Sequence, residues 1–143
     1  MDKALPIHVA CAHCGTKNRV ASDRLADNPL CGRCGHGLLE GQPVELTDEN
    51  FDAVTAGTEL PVVVDFWAPW CGPCRAMAPQ FESAASSLRG RALLVKVNSD
   101  DNPGAAARFG IRSIPTLVRL QGGREVARQS GTLPAAQIVR FAS

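Results

Sequence analysis

The stretch Val62-Val63-Val64-Asp65-Phe66-Trp67-Ala68-Pro69-Trp70-Cys71-Gly72-Pro73-Cys74 decides the fold of this chain of 143 residues. Its first half is an apolar run broken by one acid, which is typical of a strand buried in the centre of a sheet. After it, apolar residues recur at the spacing of an amphipathic helix, with Pro79 inside it and Gly90 at its end. A strand that leads directly into a helix predicts an α/β unit with Cys71 at the helix N-terminus.

This position predicts a reactive thiol. The unpaired N–H groups and the dipole of a helix N-terminus favour a thiolate by up to about 2 kcal/mol, or roughly 1.5 pKa units. Cys74 lies one turn further on, where we expect it to be more buried, and the spacing permits a Cys71–Cys74 disulfide. Metal binding by this pair is disfavoured because it lacks a partner pair and because Pro73 removes a backbone donor. Asp65, an acid in an apolar strand, must be paired or have a raised pKa; the alternative is a structural carboxyl satisfied by local hydrogen bonds.

The other four cysteines form a second kind of site. Cys11/Cys14 and Cys31/Cys34 are two Cys-x-x-Cys pairs, each followed by Gly, with sixteen residues between Cys14 and Cys31. That spacing predicts a tetrahedral four-cysteine Zn²⁺ site. Two local disulfides or four free thiols are the alternatives. A module with so few apolar residues needs such a metal, because structural zinc contributes about 10–16 kcal/mol of apparent binding free energy.

Three histidines lie in or near this module: His8, His13 and His36. Four thiolates already complete a closed tetrahedral site, so the histidines are expected to be exposed neighbours, with a ligand role as the alternative.

Composition excludes several classes of function. The net charge is +1. Residues 1–40 carry five Lys/Arg against four Asp/Glu and residues 41–143 carry ten against ten, which speaks against binding nucleic acid or an anionic membrane. No apolar run approaches a membrane span, and the N-terminus lacks the apolar core of a signal peptide. We therefore expect a cytoplasmic protein, in which paired cysteines act as metal ligands or redox catalysts.

Together these residues resemble the thioredoxin family. Trp70-Cys71-Gly72-Pro73-Cys74 is identical to that family's active-site motif, and the resemblance extends over about residues 43–143, through Asp65-Phe66-Trp67-Ala68-Pro69, Val95-Lys96-Val97-Asn98, Ile111-Arg112-Ser113-Ile114-Pro115-Thr116 and Gly131. With the four-cysteine preface, the chain is most similar to the zinc-binding, two-module members of the family.

The resemblance implies roles for individual residues. Cys71 would attack a client disulfide and Cys74 would resolve the mixed disulfide, with Asp65 accepting the proton of Cys74 and Lys96 lying near that carboxylate. Alternation along its strand leaves an exposed Lys96 as the alternative. Pro115 would be a cis-proline opposite the disulfide, and Trp67 is either catalytic or a core aromatic. The remaining client surface would comprise Trp70, Gly72, Pro73, Ile114 and Gly131. Ser113 and Ser130 depart from residues common in the family.

The expected architecture is a thioredoxin fold, with a mixed central sheet flanked by helices, preceded by a zinc-ribbon-like module. Residues 1–42 would form the zinc module and linker, and residues 43–143 the thioredoxin domain. Thr47 is expected to cap a helix that runs to about Ala56 and is closed by Gly57.

The leading functional hypothesis is a protein-disulfide reductase with one structural or redox-responsive Zn²⁺ and no organic cofactor. Its expected partners are disulfide-bearing client proteins and a flavin-dependent, NADPH-driven thioredoxin reductase, and it is expected to be a monomer. A binding module built on the zinc ribbon, and an oxidase or isomerase, are the alternatives.

Overall fold

The computed structural model describes residues 5–143. The strands are β1 (Pro6–Ala10), β2 (Lys17–Ala21), β3 (Val44–Leu46), β4 (Val62–Trp67), β5 (Leu93–Asn98), β6 (Thr116–Gln121) and β7 (Arg124–Ser130). The α-helices are α1 (Phe51–Gly57), α2 (Gly72–Ser87), α3 (Pro103–Arg108) and α4 (Ala135–Phe141), and a short 3₁₀ helix spans Ser22–Arg24.

The central sheet has the order β3-β5-β4-β6-β7. Strands β3, β5 and β4 are parallel, whereas β6 and β7 are antiparallel additions, so the sheet is mixed as predicted. Residues of β4 alternate between two apolar layers: Val63 packs with α2 and α4, whereas Val62 and Val64 pack with α1. Because both faces are covered, β4 is a continuous apolar run, and only Asp65 interrupts it.

The N-terminal module is a β1–β2 hairpin followed by a second turn that closes with an isolated bridge between Leu30 and Gly37. Its apolar residues are few, but they pack against apolar residues outside the module. Val9, Val20 and Leu38 belong to the same buried cluster as the apolar residues of α1 and of one face of the central sheet. The module therefore folds onto the larger core, which gives it burial that a segment of its size lacks alone.

Hydrogen bonds tie this module to α1 and to the loop before β4. The Glu59 N–H donates to the His8 carbonyl (2.8 Å), and the Ala10 N–H donates to Thr58 Oγ1 (3.1 Å). The Asn50 side chain at the start of α1 also donates to the Ala12 carbonyl (3.2 Å), so the module docks along α1 and on the loop that precedes β4. The division at residues 42 and 43 remains a prediction.

The predicted cap of α1 was wrong. Thr47 lies before a turn in which its carbonyl accepts from the Asn50 and Phe51 N–H groups, so the helix begins at Phe51 with Asn50 as N-cap. Gly57 lies inside the last turn rather than after it. A side chain there would meet the Ala10 Cβ at 3.0 Å, so Gly57 permits close approach of the N-terminal module.

Gly90 offers a test of this docking. Gly90 and Gly122 both have positive φ (+78° and +61°), but a Cβ at Gly90 would lie 2.9 Å from the Ala26 backbone nitrogen, whereas one at Gly122 would meet nothing within 4 Å. Each Ala substitution costs about 1–2 kcal/mol for the left-handed backbone. We expect Gly90→Ala to lower the free energy of unfolding by about 1–3 kcal/mol more than Gly122→Ala in urea titrations, because the module must shift. Equal losses would contradict the described contact.

Candidate active site and metal centre

Cys71 and Cys74 are joined in a disulfide, with their Cα atoms 5.3 Å apart. Cys71 is the N-cap of α2, and its Sγ accepts a hydrogen bond from the Cys74 N–H (3.2 Å). Both residues are buried, with 4 % of Cys71 and 2 % of Cys74 exposed, so the expected contrast in burial is slight. Once the disulfide is reduced, the same helix N-terminus stabilises a Cys71 thiolate.

Asp65 lies on the strand that leads to Cys71 and is 1 % exposed. Neither carboxyl oxygen has a hydrogen-bond partner within residues 5–143, so the alternative of a carboxyl satisfied by local hydrogen bonds is not what the structure shows. Burial raises the pKa of Asp65 to about 7, although the Lys96 charge lowers it and the Glu45 charge raises it further. This carboxyl can therefore gain or lose a proton near neutral pH.

Lys96 is the β5 partner of Asp65 in the sheet register and is half-buried. Its Nζ lies 4.4 Å from the centre of the Trp67 ring, a cation–π distance. Lys96 is therefore on the same face of the sheet as Asp65 rather than on an opposite, fully solvated face. Trp67 is half-buried and packs against the cluster that contains Cys71 and Cys74.

The rim around Cys71 is formed by three segments. The Ile114–Pro115 peptide bond is cis, and the Ile114 carbonyl oxygen lies 3.8 Å from Cys71 Sγ. Gly131 is held beside this loop by its N–H, which donates to the Pro115 carbonyl (2.9 Å). On the other side, Trp70 is 69 % exposed and is followed by exposed Gly72 and Pro73. The structure thus brings together the residues proposed from the resemblance to form the client surface.

Two features of this rim were missed from the sequence. Asp100 accepts a hydrogen bond from Trp70 Nε1 (2.8 Å), which orients the exposed indole. Thr116 Oγ1 donates to the Ser113 carbonyl (2.7 Å) and lies 3.0 Å from Ser130 Oγ. Since the Thr116 proton is used, Ser130 is the donor of that second bond, which links the cis-proline loop to the segment before Gly131. In the sequence, the only sign of this link was that Ser113 and Ser130 depart from the residues common in the family at these positions.

The four remaining cysteines converge. The Sγ atoms of Cys11, Cys14, Cys31 and Cys34 all lie within 4.8 Å of one another. Two of the Sγ–Sγ separations, Cys11–Cys34 and Cys14–Cys31, are 3.6 Å. A tetrahedron of Zn–S bonds of about 2.3 Å has edges of about 3.8 Å. The cluster therefore fits a zinc ion, and no two of these cysteines are joined in a disulfide.

The two halves of this cluster have the same backbone. The Gly15 N–H donates to the Cys11 carbonyl (2.8 Å) and the Gly35 N–H to the Cys31 carbonyl (2.9 Å), and both glycines have φ of +80°. Such left-handed turns require glycine. His13 and His36 stack on each other with ring centres 3.6 Å apart, and neither belongs to the cluster of converging ligand atoms; His8 contacts Glu59 instead.

Within the described residues, no helix is both long and apolar enough to cross a membrane.

Comparisons with known proteins cover both parts of the chain. The family model described as Thioredoxin matches residues 42–143, and the model described as Thioredoxin 2, N-terminal, matches residues 10–36. Thioredoxin C-3 of Corynebacterium nephridii is 43% identical over 133 residues, covering 93% of this chain and 91% of the relative. Thioredoxin 2 of Chlorobaculum tepidum is 41% identical over 102 residues, covering 71% and 94%. Among solved structures, chloroplastic thioredoxin z superposes with a TM-score of 0.64 and 33% identity, covering 71% of this chain and 91% of that one.

The buried carboxyl predicts a pH-dependent stability. Between pH values near 3.8 and about 7, the unfolded chain has lost the Asp65 proton while the folded chain retains it. Wild-type stability should therefore fall as pH rises through this window, by up to about 4 kcal/mol, and then level off. Asp65→Asn should lack this component in urea titrations from pH 4 to pH 8, whereas Asp23→Asn, a change at an exposed residue, should retain it. A parallel pH dependence in wild type and Asp65→Asn would contradict the raised pKa.

Proposed function

Because this chain belongs to the thioredoxin family and is a thiol–disulfide oxidoreductase, we propose that it works as a protein-disulfide reductase whose exchanging pair is Cys71 and Cys74. The observation that carries the proposal is the Cys71–Cys74 disulfide at the N-terminus of α2, directly above the buried Asp65 strand. The Gly-Pro dipeptide between the cysteines, which is typical of the reductases of the family, favours the reducing direction.

The reaction begins from the reduced pair. The Cys71 thiolate attacks one sulfur of a client disulfide; a Cys71–client bond forms, the client S–S bond breaks, and the leaving client thiolate takes a proton. Cys74 then loses its proton and attacks Cys71 Sγ, which forms the Cys71–Cys74 disulfide and releases the client as a dithiol. Two electrons pass to the client, and the structure shows the oxidised product state.

Asp65 is the proposed acceptor of the Cys74 proton, as the resemblance implies. A pKa of about 7 supports this role, because a base is most useful when its pKa lies near the working pH. Lys96 lies near the carboxylate that forms after the proton leaves, and its charge favours that ionised form.

The client surface is proposed to comprise Trp70, Gly72, Pro73, Ile114, Pro115 and Gly131. Exposure of Trp70 and the contact between the Ile114 carbonyl and Cys71 support this assignment. An extended client segment bound beside Ile114 would add main-chain hydrogen bonds at the rim, and its disulfide would lie next to Cys71.

Thioredoxins in general act on disulfide-bearing clients and are re-reduced by a reductase. For this chain we propose that a flavin-dependent, NADPH-driven thioredoxin reductase restores the dithiol. We also propose that the chain acts as a monomer in the cytoplasm, without nucleic-acid or membrane partners.

We also propose one structural Zn²⁺ bound by Cys11, Cys14, Cys31 and Cys34 and no organic cofactor. The fit of the four Sγ atoms to a tetrahedron supports the zinc ion.

Substitution of the attacking thiol tests the reductase proposal. Cys71→Ser should lower the rate of insulin reduction by at least about a thousandfold, since a hydroxyl cannot replace the thiolate nucleophile. Its zinc content and unfolding midpoint in the presence of reductant serve as controls and should match those of the reduced wild type. Reduction at the wild-type rate by Cys71→Ser protein would refute the proposed role.

Elemental analysis of the purified chain tests the zinc proposal. Wild type and His36→Ala should each contain one zinc per chain, because four thiolates complete the site. Cys31→Ser should lose most of its zinc, and the free energy of unfolding should fall by several kcal/mol because the metal stabilises the folded module. Disulfides Cys11–Cys14 and Cys31–Cys34 in a zinc-free, fully folded protein would contradict the proposal.

A further inference from the structure

Three charged side chains form one row across three neighbouring strands. Glu45 of β3 pairs in register with Lys96 of β5, and Lys96 pairs in register with Asp65 of β4. Register partners in adjacent strands project to the same face of a sheet. The row begins at Glu45, which is exposed, continues through half-buried Lys96, and ends at fully buried Asp65.

The Lys96 ammonium forms no ion pair with Glu45 or with Asp65. No carboxylate within residues 5–143 lies in ion-pair contact with its ammonium, which is placed over Trp67 instead. From helix α2, Glu82 lines an open cleft of about 400 Å³ together with Lys96. On the other side of Asp65, the register partner in β6 is the apolar Leu117. Thus Lys96 and Glu45 are the charged residues in the sheet row that ends at Asp65, and Glu82 is the charged residue of α2 that lies in the cleft with Lys96.

We propose that Glu45 is a positioning residue of the catalytic centre, whose negative charge at the end of the row offsets the effect of the Lys96 ammonium on Asp65 and so keeps Asp65 an effective acceptor of the Cys74 proton. This inference rests on the proposed role of Asp65. Without Glu45, the lysine charge would act on Asp65 unopposed and would lower the pKa of Asp65, which makes its carboxylate a weaker acceptor for the Cys74 proton. The nearby Glu49 is a useful contrast, because it lines the same groove of about 590 Å³ as Glu45 and Trp67 but lies outside the row.

Strand spacing sets the size of the effect. Glu45 and Asp65 are two strands apart, or about 10 Å. At an effective dielectric constant near 20, a unit charge at this distance moves a pKa by about one pH unit, and solvent at Glu45 reduces this to about half a unit to one unit. The charge effects on the two carboxyls have the expected signs: the Glu45 charge raises the pKa of Asp65, and the Lys96 charge lowers the pKa of both Glu45 and Asp65.

The test titrates Asp65 directly in the oxidised, full-length protein. Aspartate is labelled with ¹³C at the carboxyl carbon, and the Asp65 resonance, assigned by its absence in Asp65→Asn, is followed from pH 4 to pH 9. Glu45→Gln should lower the midpoint by about half a unit to one unit. Glu49→Gln removes the same charge from the same groove and should move the midpoint by at most about a third of that amount, because Glu49 lies outside the row that leads through Lys96 to Asp65.

A midpoint that is unchanged or raised in Glu45→Gln would overturn the inference, as would equal shifts in the two variants. The second measurement is the pH profile of the step in which Cys74 resolves a Cys71 mixed disulfide, which should move with the midpoint. If the midpoint falls but the profile stays, Glu45 does control the Asp65 proton while the proposed role of Asp65 fails, so the two failures are distinguishable.

Discussion

The buried Asp65 carboxyl is the constraint on which the active site depends. It occupies the central strand of the sheet, is 1 % exposed, and has no hydrogen-bond partner in residues 5–143. An uncompensated charge there is costly, so the group stays protonated until the pH approaches 7. Apolar layers cover both faces of β4 around this acid, and the Lys96 charge favours its ionisation. Stability above about pH 4 is thereby lost to a carboxyl that can gain or lose a proton near neutral pH, on the strand that leads to Cys71.

The same Cys-x-x-Cys spacing has two structural outcomes in this chain. At Cys11 and Cys31, a glycine in the left-handed region closes a tight turn after each pair, and four sulfur atoms converge. At Cys71 the pair instead opens a helix of 16 residues, and the Cys74 N–H in its first turn donates to the Cys71 sulfur atom. The surrounding backbone therefore separates a metal-binding pair from an exchanging pair.

Local patterns predicted most of the fold because they report local structure. The apolar β4 run, the helix after Cys71 and the paired N-terminal cysteines were each visible as spacing along the chain. Contacts between segments that are distant in the sequence were not visible in this way. The register row from Glu45 to Asp65, the Trp70–Asp100 hydrogen bond and the Thr116–Ser130 link depend on tertiary pairing. Likewise, the scattered apolar residues of the N-terminal module gave no sign that they complete the core around α1.

We propose that Asp65 removes the proton from Cys74 when Cys74 resolves the mixed disulfide, and the rate of that step tests this role most directly. Reduced wild type and Asp65→Asn are each mixed by stopped flow with an excess of a small aromatic disulfide, and release of the second aromatic thiol, which accompanies resolution of the Cys71 mixed disulfide, is followed. We predict that release in Asp65→Asn at pH 7 is slower by about a hundredfold or more, and that it rises with hydroxide concentration. Equal rates in the two proteins from pH 6 to pH 9 would contradict the account.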